Sequence, residues 1–213
     1  MIDSKVLQPL ALAALVAMGA SAHAGFATYT TEADFLAQVS QASTDTFADL
    51  AGGELAASLA RSAGAYGYTV ASAGGLYGAG SDAGRWLSNN DRRDAISFSG
   101  FSGGATAIGG LFFGTNDLGS VLANQTLRIT VTDTALNEST TLLSLNSATA
   151  FFGVVSSAPL LSLSIAVDEG NLLAAWPTIG GITVAVPEPS TYALMLAGVG
   201  ALAWTVRRRR SAG

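Results

Sequence analysis

Carboxylates make up nearly the whole chemical inventory of this 213-residue chain. Its one histidine is His23, its one lysine is Lys5, and it has no cysteine. Both single residues lie in an N-terminal stretch that reads as an export signal. The exported body would then lack Ser–His and Cys–His nucleophile pairs, Ser–Lys dyads, Schiff-base lysines and the usual zinc and haem ligands. The segment GFSGGATAIGG is glycine-rich but has no lysine, so it reads as strand and bulge rather than a phosphate loop. Hydrolysis by a carboxylate pair survives this filter. It needs two carboxyl groups facing one cleft, about 5–10 Å apart. Asp91, Asp94, Asp117, Asp133, Glu138, Asp168 and Glu169 are available, but their spacing singles out no pair. A solvated acidic surface explains them better, and the expectation is a protein with no catalytic residue.

Oxygen ligands alone could hold calcium. SNNDRRD offers Asn89, Asn90, Asp91 and Asp94, and GTNDLG offers Asn116 and Asp117. Arg92 and Arg93 would offset part of the charge of the first group, and both groups also read as ordinary turns. Beyond this possible calcium, no cofactor is expected. Aromatic rings near loops could stack on the apolar faces of sugars, which points to Tyr77, Trp86 and Trp176. Trp176, in AAWPT, reads equally well as core. Phe98, Phe112, Phe113, Phe151 and Phe152 read as core. Asn124-Gln125-Thr126 and Asn137-Glu138-Ser139 match glycosylation sequons, a frequent chance match in a Ser/Thr-rich chain.

The elements that must position these residues are mostly strands. Thr31 and Asp34 suit a helix start, with Phe35, Leu36 and Val39 on one face of TEADFLAQVSQ. GELAASLARS could be a second short helix with Leu55, Ala56 and Leu59 inward, or an ordered loop. Beyond residue 64, YGYTVAS, DAISFSGF, ATAIGGLFFGT, QTLRITVTDT, STTLLSL, TAFFGVVS, LLSLSIAVD and GGITVAV read as strands separated by turn residues. Gly109-Gly110 marks a bulge or a close backbone approach. Many short strands with little helix between them predict a mainly-β fold, a jelly-roll-like sandwich over residues 25–185. Without the two ends, five basic residues face thirteen acidic ones, a net charge of −8. Such a surface repels phosphate backbones, so no nucleic-acid partner is expected.

The two ends read as addresses. Lys5, the apolar run Leu10–Met18 and Ala22-His23-Ala24 make residues 1–24 a signal peptide, cut between Ala24 and Gly25 by signal peptidase. A lasting N-terminal anchor is the competing reading, but the run is too short to span a bilayer. At the other end, VPEPSTYALMLAGVGALAWTVRRRR places Pro187, Glu188 and Pro189 ahead of an apolar stretch closed by Arg207, Arg208, Arg209 and Arg210. As a helix, Thr191 to Val206 would reach ~24 Å against a hydrocarbon slab of ~30 Å. The expectation is a single, weak transmembrane helix that holds the body transiently outside the inner membrane, with the arginines as stop-transfer charge.

Residues 186–210 resemble the PEP-CTERM sorting tail of Gram-negative bacteria. The resemblance implies recognition by an exosortase, processing near Pro187-Glu188-Pro189, and a host that makes exopolysaccharide. The body loosely resembles lectin-like or carbohydrate-binding sandwiches found with such tails, through ADFLAQV, TDTFADL, AISFSGF, AIGGLFFGT, FFGVVSS and WPTIGGITVAVPEPST. Where those bodies often carry an acidic residue and an asparagine after the tryptophan, this chain has Gly180-Gly181. The expected role is an exported protein of the cell surface or extracellular matrix that binds or structures exopolysaccharide. The alternatives are a glycan-cleaving enzyme using carboxylates, or a structural surface protein without a ligand.

Overall fold

The computed structural model describes residues 25–81, 84–145, 149–168, 170 and 174–187. In chain order its elements are β1 (Phe26–Tyr29), α1 (Glu32–Leu36), β2 (Val39–Asp45), β3 (Gly53–Glu54), β4 (Ser58–Ala63), β5 (Tyr66–Ala71), β6 (Leu76–Ser81), β7 (Gly84–Asn89), β8 (Ile96–Ser99), β9 (Ala107–Thr115), β10 (Val121–Leu122), β11 (Gln125–Asp133), β12 (Glu138–Leu145), β13 (Ala150–Ser156), β14 (Leu160–Val167) and β15 (Trp176–Pro187). They form a mainly-β sandwich with one short helix. A nine-stranded sheet runs β1-β13-β9-β15-β7-β6-β3, with β10 beside β9 and β2 beside β15. A six-stranded sheet, β12-β11-β14-β8-β5-β4, faces it.

Alternation decides which side of each strand faces inward. In β11, Leu127, Ile129 and Val131 are buried while Arg128 is exposed. Register then lines inward residues into rows: Leu59, Val70, Phe98, Leu163 and Val131 are successive partners across five strands of the smaller sheet. The larger sheet answers with Leu76, Leu87, Phe112, Ile179, Ile182 and Val184, all fully buried in the same cluster.

Strand β15 is the spine of the larger sheet. It pairs with β9 from Trp176↔Thr115 to Ala185↔Ala107. On its other side it meets β7 at Ile179↔Leu87, then β2 from Ile182↔Asp45 to Pro187↔Val39. The register against β9 shifts between Ile179 and Gly181, so the bulge falls at Gly180. Gly109 instead provides a close approach. A Cβ there would stand 2.8 Å from Phe151 and 3.2 Å from Phe35, and one on its cross-strand partner Gly153 would stand 2.7 Å from Phe35. The two bare backbones form the bed on which the fully buried Phe35 of α1 lies.

Three expectations are corrected. GELAASLARS forms β3 and β4 instead of a helix, because Leu59, Arg61 and Ala63 point inward at a period of two and pair with Val70, Tyr68 and Tyr66. Helix α1 begins at the N-cap Thr31, whose Oγ1 accepts from Asp34 N (3.2 Å), but it ends at Leu36. Leu36 is 40% exposed, and Val39 is buried as the first residue of a strand. The third correction concerns the membrane. Among the described residues no helix is long and apolar enough to cross one, α1 having only five residues. The expected transmembrane helix is therefore dropped from the fold class, and with it the expected transient hold in the inner membrane. The segment 191–206 on which that expectation rested lies outside the described residues. So do 1–24, with Ala22 and Ala24, as well as Glu188, Pro189 and Arg207 to Arg210.

Candidate functional site

The residues of interest sit on the outward face of the larger sheet, where β15 begins. Leu76, Leu87 and Ile179 point into the core, so their neighbours Tyr77, Ser88 and Thr178 point out. Three hydroxyls form a relay across the strands. Thr115 Oγ1 lies 3.0 Å from Thr178 Oγ1, which donates to Ser88 Oγ (3.1 Å), which donates to the Pro177 carbonyl (3.1 Å). All three are buried, and their bonds fix the spacing of β7, β15 and β9 beneath the site.

Above this floor is an open cavity of about 170 Å³. Tyr77, 39% exposed, forms one wall. Trp176 forms another, oriented by its indole N–H, which donates to the Asn90 carbonyl (3.3 Å). The third wall is the turn after β9. Asn116 Oδ1 accepts from Leu118 N (3.0 Å) and Ser120 N (2.8 Å), and Gly119, with φ +77°, closes the turn. That geometry leaves Asp117 exposed at the tip, facing the cavity. Asn89 lies at the back, 3% exposed. Its Nδ2 donates to the Asp94 carbonyl (2.8 Å), while its Oδ1 has no hydrogen-bond partner. Apolar ring faces beside amide and carboxylate oxygens suit a polyhydroxylated ligand with apolar C–H faces. The volume is below the ~300–1,000 Å³ of enclosed small-molecule sites, so the geometry would suit an exposed ring rather than a swallowed one.

The structure brings Tyr77, Trp176, Asn116 and Asp117 together and places the other predicted residues elsewhere. Trp86 stands edge-on to the buried Phe113, with ring centroids 5.2 Å apart, and packs against the core. Asp91 and Asp94 belong to the adjoining turn. Asp91 Oδ1 accepts from Arg93 N (3.0 Å) and Asp94 Oδ2 from Gly74 N (2.6 Å). Asn116 Oδ1 is also taken by backbone donors, so one oxygen each of Asp91, Asp94 and Asn116 is already hydrogen-bonded. Among the described residues no group of three or more His, Cys, Asp or Glu side chains stands close enough to hold a metal ion. Gly25 lies just before β1, and Pro187 ends β15, its carbonyl accepting from Ser40 Oγ (3.3 Å).

Asp133, Glu138 and Asp168 do not line this cavity. Asp133, fully buried, accepts from Ala135 N (2.9 Å), Asn137 N (3.0 Å), Asn137 Nδ2 (3.0 Å) and Ser156 Oγ (3.1 Å). Burial pushes this carboxyl up, but the donors of Asn137, Ser156 and Ala135 outweigh it and hold it below the usual carboxylate range. Asp168 pairs with Arg128 (2.7 Å) near the surface, and Glu138 is exposed on β12. Glu169 lies outside the described residues.

Sequence reasoning missed one polar cluster altogether. Arg61 grips Asp45 with two bonds, Nε to Oδ2 and Nη2 to Oδ1, both 2.7 Å, and also reaches Asp49 Oδ1 (2.7 Å). Tyr68 donates its hydroxyl to Asp45 Oδ2 (2.6 Å), and Phe47 N donates to Asp45 Oδ1 (3.0 Å). The Arg61 guanidinium lies 5.4 Å from the Phe47 ring centroid, and Phe47 itself sits at φ +58°. Burial raises the Asp45 carboxyl, yet Arg61, Tyr68 and Phe47 N together bring it below its ordinary value. Burial and Asp45 push the Tyr68 hydroxyl up. The cluster joins β2 of one sheet to β4 and β5 of the other.

Comparison with known proteins adds one specific match. Residues 185–210 match the PEP-CTERM protein-sorting motif, as the sequence led us to expect. No curated protein matches the chain. Two solved structures overlap it loosely. One is the CBM22-1 xylan-binding domain of Xyn10C from Paenibacillus barcinonensis, at 15% identity and a TM-score of 0.37, covering 68% of this chain and 94% of that one. The other is a family 6 carbohydrate-binding module, at 9% identity and a TM-score of 0.33, with the same coverage. Overlaps this loose bear on neither ligand nor site.

Proposed function

We propose that this chain is an exported, surface-associated protein that binds or structures exopolysaccharide through the Tyr77–Trp176 cleft and performs no catalysis. Signal peptidase removes residues 1–24, and an exosortase reads the PEP-CTERM motif and processes the chain near Pro187-Glu188-Pro189. The cleft is the observation that carries the binding role: two aromatic walls and the polar groups of Asn90, Asn116 and Asp117 converge on one open surface site. The reading without catalysis is supported by the same walls. Asp117 is the one carboxylate among the described lining residues, where hydrolysis needs two. A net charge of −8 over the body disfavours a nucleic-acid partner.

Affinity gel electrophoresis of the exported protein tests the binding role. Mobility through gels containing the host's exopolysaccharide should fall saturably, recover in Tyr77→Ala, and be unchanged by EDTA. Equal mobility with and without polysaccharide would leave a structural surface protein. Intact-mass analysis tests the processing. The parent should lose the residues beyond the motif, and a variant with Pro187, Glu188 and Pro189 replaced by alanine should keep them.

A further inference from the structure

We infer that the cleft takes a neutral glycan lengthwise, as a run of at least two sugar rings across adjoining subsites, rather than a single ring or a chain end. This rests on the glycan-binding reading and deepens it. A second open cavity, of about 440 Å³, adjoins the first and shares Tyr77, Ala79, Asp117 and Gly119 with it. The half-exposed Tyr77 ring thus stands between two hollows and belongs to the wall of each. A ligand confined to one ring would use one side of it. A chain passes over it and uses both.

The second hollow has a floor kept low by its composition. From Tyr77 the outward side of β6 continues to Ala79, about 6.7 Å further along the strand. The neighbouring lining positions Gly52, Gly53 and Gly80 carry no side chain. Leu118, 85% exposed, overhangs the far side and offers an apolar edge where water would otherwise stand. A side chain that open on the tip of a turn fixed by Asn116 contributes little to the core.

Charge selects the class of glycan. Asp117, in the wall common to both hollows, only accepts hydrogen bonds, so it suits sugar hydroxyls and repels sugar carboxylates. The acidic body repels polyanions as a whole. Arg85, in the second hollow, is already engaged: it packs on Gly52, whose added Cβ would stand 2.6 Å from Nη1, and donates to the Gly80 carbonyl (3.3 Å).

Calorimetric titration of the full exported chain with neutral gluco-, xylo- and manno-oligosaccharides of one to six rings tests this. In the series that binds, affinity should rise roughly tenfold between one ring and three or four, then level off. Leu118→Ser should remove most of that gain and leave the affinity for single rings unchanged. Trp176→Ala, in the first hollow alone, should weaken every length. Affinity independent of length, or a Leu118→Ser variant that matches the parent at every length, overturns the inference and leaves glycan binding standing. Binding confined to acidic polymers overturns the neutral class. No binding to any oligosaccharide or polysaccharide sinks the glycan reading itself.

Discussion

At the scale of residues, the Asp45 cluster shows how far a polar group can be driven inward when every lone pair is used. Arg61→Ala would strand a buried carboxylate and should cost about 3–5 kcal/mol, measured as a shift in the urea midpoint. Tyr68→Phe removes one neutral donor to a charged acceptor and should cost about 1–3 kcal/mol. The same carboxylates set the acid limit of the fold. Asp45 and Asp133 are both held below their ordinary value, so under acid conditions the unfolded chain binds more protons than the folded one. Their contribution is complete above about pH 4 and fades as pH falls through the lower, folded values. Urea midpoints should therefore be level from neutrality down to that point and drop below it, and Asp133→Asn should flatten the drop while lowering the plateau. A plateau that began to fall near neutrality would exclude this account. Little of the cluster was legible beforehand, because Asp45, Arg61 and Tyr68 lie 16 and 23 positions apart on three strands. Tyr77 and Trp176 stood out as rings near turns and Asn116 and Asp117 as turn oxygens, but their meeting in one cleft depends on the pairing of β6, β7, β15 and β9 and could not be read. Trp86 looked the same in sequence and differs only in having Phe113 beside it.

At the scale of elements, strands rich in β-branched and aromatic residues declared themselves, and strands built of small residues did not. β11 shows its alternation plainly, whereas β6 (Leu76–Ser81), reading LYGAGS, and β4 (Ser58–Ala63), reading SLARSA, carry residues that favour neither a strand nor its exposure. Alanine and leucine in β4 even favour helix, and pairing with β5 overrides them. Helix α1 was legible at its start and not at its end. Its cap is local, while its stop depends on Val39 joining β15 through Pro187. What keeps so short a helix in place is Phe35 on its glycine bed. Gly153→Ala should push that ring off the sheet and cost about 1–3 kcal/mol, with faster proteolysis between β1 and β2 as the local sign. Thr31→Ala should cost about 1 kcal/mol through the lost cap. If Gly153→Ala proved as stable as the parent, the ring would have to be held by something other than that bed.

At the scale of the whole molecule, the sandwich could be read from strand number and spacing, but the strand order could not, since it depends on which outward faces find cover. The most telling feature of the assembled fold is the course of β15. The cleft lies at its first residue, Trp176, and the sorting motif opens at its last, Pro187, roughly 35 Å away at ~3.3 Å per residue. β9 flanks it for almost that whole distance, and β7 and β2 share its other side. Consider a pull applied between the cleft and the C-terminal end of β15, as when a bound polymer is drawn away. The tension then runs down the axis of one interior strand. Antiparallel ladder bonds stand perpendicular to that axis, so the load falls on many of them at once, in shear, and none can be peeled open ahead of the rest. The domain is strung so that its most tightly bonded strand is the cable.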